Sequence, residues 1–347
     1  MRKDLIEAFH HQAAACRDLG SAFMARLMLA VPQVFPGGTA LARRFDGWQG
    51  DLGPAGASLP LRLAGGLHHL VLTGQDAALA AVWPPQDGAG LEAVVGEALR
   101  RQDGFLTEWV THAPQTNEVG RSAVLLAAAA EVARWSGLPL VLSELGASAG
   151  LNLNFPVYAL EIGSETIGAA TPALTLHPDW SGRVPPAGPV AVAGARGVDL
   201  NPLSPGRDGL RLMSYVWPDQ AARLARLGAA LQAAATRPPQ VDAGDAAGWL
   251  EARLSAPRPG FCHMVYHTIA FQYFPPETKA RITAAMEAAG AQATAGAPLV
   301  WVAMEADEVK GSAGVTLRLW PGDRRGDWRV TLGRAGFHGQ WVDWAGL

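Results

Sequence analysis

The segment Glu144-Leu145-Gly146-Ala147-Ser148-Ala149-Gly150 combines residue types whose spacing could do chemistry, and two chemistries fit it. An acidic residue followed by small ones at the end of a strand suits a nucleotide-like ligand. Gly146, Ala147, Ser148 and Gly150 let the backbone approach closely, and a helix starting behind them supplies N–H donors. The same residues read as Gly146-x-Ser148-x-Gly150, a hydrolase nucleophile elbow with Ser148 as nucleophile. Chain order separates the two. An elbow follows an interior strand with several strands before it, whereas nothing before residue 138 reads as a buried strand. A hydrolase also needs an acid and a histidine downstream, for which His338 is a candidate.

Later acidic positions extend the ligand-pocket reading. Asp199 closes a second strand, in Gly197-Val198-Asp199-Leu200-Asn201-Pro202, where a carboxylate could accept bonds from both ribose hydroxyls. The same residue could simply initiate an Asx turn. Asp245, in Gly244-Asp245-Ala246, ends a third short strand. It could hold an adenine amine beside Ala246, or cap the helix that follows. His267 falls at the carboxyl end of a fourth strand, Phe261 to His267, where an imidazole could act as general base toward a nucleophilic substrate atom. A histidine hydrogen-bonded in the interior is the plainer alternative. Tyr266 and Gln272 are polar neighbours.

Gln115 to Arg121 packs amides, a carboxylate and a guanidinium just before an Ala-rich helix. Gln115, Asn117, Glu118 and Arg121, with Asn152 and Tyr266, could bind a polar substrate. A helix start with a Glu118–Arg121 pair explains the same residues. No metal site is expected. His263 and His267 lie ~13 Å apart in a strand rising ~3.3 Å per residue, too far for one ion.

These residues need elements to position them. The first third has apolar helical spacing, at Leu5, Ile6 and Phe9 and then Leu19, Phe23 and Leu27, with breaks at Pro32 and Pro36-Gly37-Gly38. Leu59 to Leu72, after the Gly50–Gly56 link, and Leu91 to Val110 continue the helical pattern. From Leu138 the texture changes to strands alternating with helices, the pattern of βαβ units around a mostly parallel sheet. Segment 156–189 interrupts it as an inserted hairpin and loop. Residues 315–320 and 328–332, around Pro321-Gly322-Asp323, form a second hairpin signal. The expected organisation is a helical domain over 1–137 and an α/β domain over 138–347.

The 347 residues carry 28 Lys+Arg against 31 Asp+Glu, and this balance advertises neither nucleic acid nor an acidic membrane surface. Three cations are lysines, Lys3, Lys279 and Lys310. The twelve tryptophans are scattered without a basic stripe and read as core or pocket wall. Cys16 and Cys262 lack zinc spacing, and the N-terminus lacks a signal-peptide pattern. The longest apolar run, Ala123 to Ala130, is far short of the ~18 residues of a membrane span. A cytoplasmic protein with a small-molecule substrate is expected.

The turn at 144–150 resembles the cofactor turn of Rossmann-like S-adenosylmethionine (SAM) methyltransferases, except that Ser148 stands where the usual pattern has glycine. Gln115-Thr116-Asn117-Glu118-Val119-Gly120-Arg121, Glu144 to Asn152, Val198 to Leu203, Val216 to Gln220, Gly244-Asp245-Ala246 and Tyr266-His267 together resemble an uncharacterised bacterial family, a domain of unknown function, over nearly the whole chain. The resemblance implies a methyltransferase-like core behind a helical region and assigns no reaction. The expected function is a SAM-dependent methyltransferase or SAM-binding protein acting on a small molecule. A non-catalytic binder of a nucleotide-like ligand and a Ser148 hydrolase are the alternatives.

Overall fold

The computed structural model describes every residue except Ala55, Arg324 and Arg325. Ala55 of the Gly50–Gly56 link and the two arginines beyond Pro321-Gly322-Asp323 thus lie outside the described residues. The chain forms two compact units, Met1–Thr116 with Asp208–Ala225, and Asn117–Arg207 with Arg226–Leu347.

The first unit carries α1 (Lys3–Asp18), α2 (Ala22–Val34), α3 (Ala40–Asp46), α4 (Leu59–Leu72), α5 (Ala77–Ala80), α6 (Leu91–Arg101) and α7 (Asp103–Trp109). Their apolar stripes meet in one core where Leu5, Phe9, Leu27, Leu63 and Leu67 are fully buried. Short polar side chains cap the helix starts. Ser21 accepts from Met24 N–H, Thr39 from Ala42 N–H and Asp76 from Leu79 N–H. Asp219 accepts from the Ser21 hydroxyl at 2.6 Å and from Phe23 N–H at 3.0 Å, so a distant segment ties down the start of α2. Pro32 does not end α2, which runs on to Val34. In the last turn a missing N–H removes one helical bond and leaves the rest of the ladder intact.

In the second unit and the segment inserted in it follow α8 (Ser122–Ser136), β1 (Leu140–Leu145), β2 (Tyr158–Ile162), β3 (Glu165–Gly168), β4 (Leu174–Leu176), β5 (Asp179–Gly182) and β6 (Val192–Asp199). Next come α9 (Pro205–Ser214), α10 (Ala221–Thr236), β7 (Val241–Ala243), α11 (Ala246–Arg253), β8 (Cys262–Thr268) and α12 (Pro276–Gly290). The chain closes with β9 (Leu299–Ala306), β10 (Ala313–Trp320), β11 (Trp328–Ala335) and β12 (Trp341–Trp344).

The division falls at Thr116/Asn117 rather than at residue 137. The reason lies in α8: Ser122 to Val132 is buried all round, which makes it a core helix, and it packs on β2 and β3. The nine-stranded sheet runs β5-β12-β11-β10-β9-β8-β1-β6-β7. Neighbours from β9 to β7 pair parallel, while β10, β11 and β12 are added antiparallel. The fold is therefore mixed α/β with a large, mostly parallel sheet. The inserted hairpin β2–β3 gains a third, parallel strand in β4. Within 156–189, however, β5 leaves the insertion and pairs with β12 at the main sheet's edge. No helix among the described residues is long and apolar enough to cross a membrane.

Candidate functional site

Strand alternation sorts the site residues onto two faces before any side-chain contact is considered. Register pairs Ser143 with Val265, and Val265 with Trp301, so Ser143, His263, His267, Trp301 and Glu305 share one face. That face is covered by α11 and α12, whose Ala247, Leu250, Ile282 and Met286 pack with Leu145, Val198 and Val265. Glu144 pairs with Tyr266, and both point to the opposite face. Side chains adjacent in sequence, Tyr266 and His267, thus work on opposite sides of the sheet.

The turn after β1 is held from inside. Gly146 N–H and Ala147 N–H both donate to Val198 O, at 2.9 and 3.0 Å. Ser148 N–H donates to Asp199 Oδ2 at 2.8 Å, and Asp199 Oδ1 accepts from Asn201 N–H at 2.9 Å. Asp199 therefore makes the Asx-type bond to its own loop and also ties that loop to the turn. The backbone turns left-handed at Gly146, Ser148 and Gly150, with φ of 69°, 53° and 73°. Ser148 Oγ is buried without a hydrogen-bond partner, so no histidine contacts it. The helix expected behind the turn is not an α-helix. Leu151–Val157 is a 3-10 segment with Pro156 inside it, which leads directly into β2. Proline removes a donor and the strand begins too soon for an α-helix to grow, so no helix N-terminus supplies donors here.

A Cβ on Gly150 would lie 2.6 Å from Val241 Cγ2 and 2.8 Å from Pro239 Cβ, at a φ that side chains rarely adopt. Gly150→Ala is expected to destabilise the protein by at least about 1 kcal/mol, measured by urea denaturation. An unchanged midpoint would contradict this packing.

Glu144 is 2% exposed. Tyr266 Oη donates toward Glu144 Oε2 at 3.4 Å and toward Asn152 O at 3.5 Å. Burial pushes the Glu144 carboxyl well above its ordinary value, and the Asp199 charge adds to this against Tyr266, Arg121 and Asn152. Burial and Glu144 likewise raise the Tyr266 phenol. Of the predicted substrate residues, Asn152 and Arg121 act directly on this pair. Ser122 Oγ donates to Asn152 Oδ1 at 2.7 Å, and Asn117 Oδ1 accepts from Leu151 N–H at 2.7 Å. Arg121 donates to Thr268 O at 3.0 Å and to Phe337 O at 2.9 Å. Glu118 accepts from Gly120 N–H and faces Arg226 at 4.0 Å. Gln115 belongs to the first unit.

Asp245 is the N-cap of α11, accepting from Gly248 N–H at 2.9 Å, and it pairs with Arg281 at 3.3 Å. Its side chain is exposed, while Ala246 is buried in the core under α11.

His267 is 1% exposed, and its Nδ1 lies 2.7 Å from Glu305 Oε1. Glu305 also accepts from Ala270 and Phe271 N–H at 3.0 Å and from Gln272 N–H at 3.4 Å. Burial pushes the Glu305 carboxyl up, but the His267 bond and charge and these N–H groups outweigh it and hold it below the ordinary value. In the tautomer that donates Nδ1–H to Glu305, the lone pair is on Nε2, which is buried with no hydrogen-bond partner. Phe271 stacks on the ring at 4.7 Å, and Trp301 meets it edge-on at 5.9 Å. His267, Phe271, Trp301 and Glu305 border a cavity of about 580 Å³ that reaches Thr316 and Thr331. Ile269, between β8 and this loop, has φ 49°, an outlier for a β-branched residue. An acid orienting a histidine is the geometry of a general base. Sequence reasoning missed Glu305. Its only signal is a carboxylate closing an apolar strand, and its partner depends on register. Among the described residues no group of three or more His, Cys, Asp or Glu side chains is placed to hold a metal ion.

Residues 6–344 match a protein-family model described as an uncharacterized protein conserved in bacteria (DUF2332). No curated protein and no solved structure matches the chain.

Proposed function

We propose a function for a chain that belongs to this bacterial family, DUF2332: it binds SAM at the carboxyl edge of β1, β6 and β7 and methylates a small molecule, on a Rossmann-like, methyltransferase-type sheet. The strand order supports the reading. The parallel strands run third-second-first-fourth-fifth as β7-β6-β1-β8-β9, so the order reverses at β1, and ligands of open α/β sheets bind at such a switch point. The observation that carries it is Asp199, which ends β6 beside the β1 turn. Its two oxygens each accept one backbone N–H, and a carboxylate has about four acceptor sites, so capacity remains for two ribose hydroxyls. Of the three left-handed non-glycine residues among the described residues, Ser148 and Ile269 lie at the carboxyl ends of β1 and β8, flanking the same edge.

Bound SAM would supply an electrophilic methyl group. Asp199 would hold the ribose, with Asp245 at the adenine side. Gly146, Ala147, Ser148 and Gly150 would bring the backbone close, with the buried Glu144–Tyr266 pair as a floor that fixes the turn. Asn117, Glu118, Arg121 and Asn152 position that floor. His267, oriented by Glu305, would take the proton of the acceptor. Aligning two reactants and excluding water supplies most of such a rate enhancement.

One observation favours binding of a nucleoside-like ligand without turnover. His267 Nε2 is closed off beneath Phe271 and Trp301, so the base is out of reach unless that loop opens.

Calorimetric titration with S-adenosylhomocysteine tests the site. Micromolar binding is expected, weakened at least about tenfold (~1.4 kcal/mol) in Asp199→Asn, which keeps one acceptor oxygen but not the charge. A wild-type protein that takes up no S-adenosylhomocysteine would sink the proposal. Transfer of labelled methyl to any acceptor then separates enzyme from binder.

A further inference from the structure

The second cavity of the α/β unit lies away from the carboxyl edge, where β1, β6 and β8 begin. It has a volume of about 540 Å³, and Val141, Arg196, Arg253, Arg258 and Phe261 are among its walls. Three guanidinium groups converge there, and their partners are unequal. Arg196 is bidentate on Asp242, with both contacts at 2.7 Å, and Trp249 Nε1 donates to the same carboxylate at 2.6 Å. Among the described residues Arg253 hydrogen-bonds to neutral partners, and the Asp242 charge reaches it without a hydrogen bond. Its Nε donates to Ser143 Oγ at 2.6 Å and its Nη2 to Leu142 O at 3.2 Å, while the group lies over the Trp249 ring at 5.3 Å. The guanidinium of Arg258 has no side-chain ion pair among the described residues, and its Nε is buried with no hydrogen-bond partner.

The buried His263 places its Nε2 2.8 Å from the same Ser143 Oγ. Burial, with Arg253 and Arg258 adding, pushes its pKa down to about 3. Burial and the charges of Arg258 and Arg196 also push Arg253 down to about 10. The lining thus holds two like charges without a carboxylate of their own, around a space large enough for an organic molecule.

We infer that this cavity binds a phosphate monoester of an apolar or aromatic small molecule, its phosphoryl group between Arg253 and Arg258 and its organic part against Val141 and Phe261. A dianion matches the two unneutralised guanidiniums, and phosphoryl oxygens suit their planar donor forks. A monoanionic carboxylate would leave one charge uncompensated. Free phosphate would leave the apolar wall empty.

The test uses the full chain with phenyl phosphate and inorganic phosphate as calorimetric probes at fixed ionic strength. Phenyl phosphate is expected to bind saturably with one site, at least tenfold tighter than inorganic phosphate. Arg258→Gln is expected to weaken it at least tenfold. Among the described residues this variant removes no side-chain hydrogen bond or ion pair, and its circular dichroism and melting curve check the fold. Arg318→Gln, whose guanidinium pairs with Glu287 and Asp327, is expected to bind phenyl phosphate as the wild type does. No saturable binding, equal affinity for the two probes, or equal loss in Arg258→Gln and Arg318→Gln would each overturn the inference. None of these outcomes depends on the S-adenosylhomocysteine titration.

Discussion

Glu305→Ala is expected to cost the α/β unit about 3 kcal/mol and to disorganise the loop that covers His267. Oε1 of this one carboxylate accepts from His267 Nδ1, Ala270 N–H and Phe271 N–H, and Oε2 accepts from Gln272 N–H. Alanine leaves those donors without an acceptor. Each unsatisfied buried donor costs roughly 1–3 kcal/mol, and partial access to water at this edge lowers the total. The same bonds hold Ala270 to Gln272 against the strained Ile269 backbone, with φ 49°, so their loss releases the loop. Glu305→Gln keeps one acceptor oxygen and is expected to lose about half as much. Urea denaturation gives the stability. Nitrogen shifts of the His267 ring report whether the proton leaves Nδ1 when the acceptor is removed. A Glu305→Ala protein within about 0.5 kcal/mol of wild type, with an unchanged His267 spectrum, would refute the role assigned to Glu305.

Acidification from pH 6.5 to 4 is expected to destabilise the helical unit by about 3 kcal/mol through His68 alone. His68 is 3% exposed, and burial pushes its pKa down to about 4. In the unfolded chain it titrates near 6.5. Between those values the unfolded state binds a proton that the folded state refuses, so stability falls as pH falls, by about 1.4 kcal/mol per unit. His69 is lowered too, again by burial first, and acts in the same direction. In the α/β unit two groups oppose each other. His263, down to about 3, destabilises on acidification, whereas Glu144, raised well above its ordinary value by burial, gains a proton in the folded state first and stabilises. The α/β unit thus carries opposing contributions, and Glu305, held below its ordinary value, adds to the destabilising side. Hydrogen exchange on the whole chain at pH 7 and pH 5 resolves the two units. Slowly exchanging amides of α1, α2 and α4 lose protection on acidification, and His68→Gln removes most of that difference. Equal pH sensitivity in His68→Gln and wild type would contradict it.

The sequence by itself determined the elements and several of their ends. Three- and four-residue apolar spacing marks the helices of the first third, and alternation of apolar runs with helices marks β6, α10, β7, β8, α12 and β9. These signals are local, set by side-chain periodicity and by breakers such as proline and glycine. The turn at Glu144 to Gly150 was legible for the same reason: a glycine-rich end to an apolar run is a local property. Nothing local says that Asp219 belongs with Ser21 and Phe23, or that Asp208–Ala225 joins the helical unit. Those follow from which surfaces bury each other. The face of each strand residue is likewise a matter of register, and a one-residue shift exchanges the faces. So Glu305 with His267, Glu144 with Tyr266, and Arg253 with Ser143 could not be paired in advance. The α-helix expected after Gly150 gave way because β2 must start at Tyr158 to pair with β3 and β4, and the intervening residues with Pro156 close as a 3-10 turn. Chain composition decides what can be helix or strand; packing of the whole sheet decides which side chains meet, because pairing energies are collected between residues that are distant in sequence.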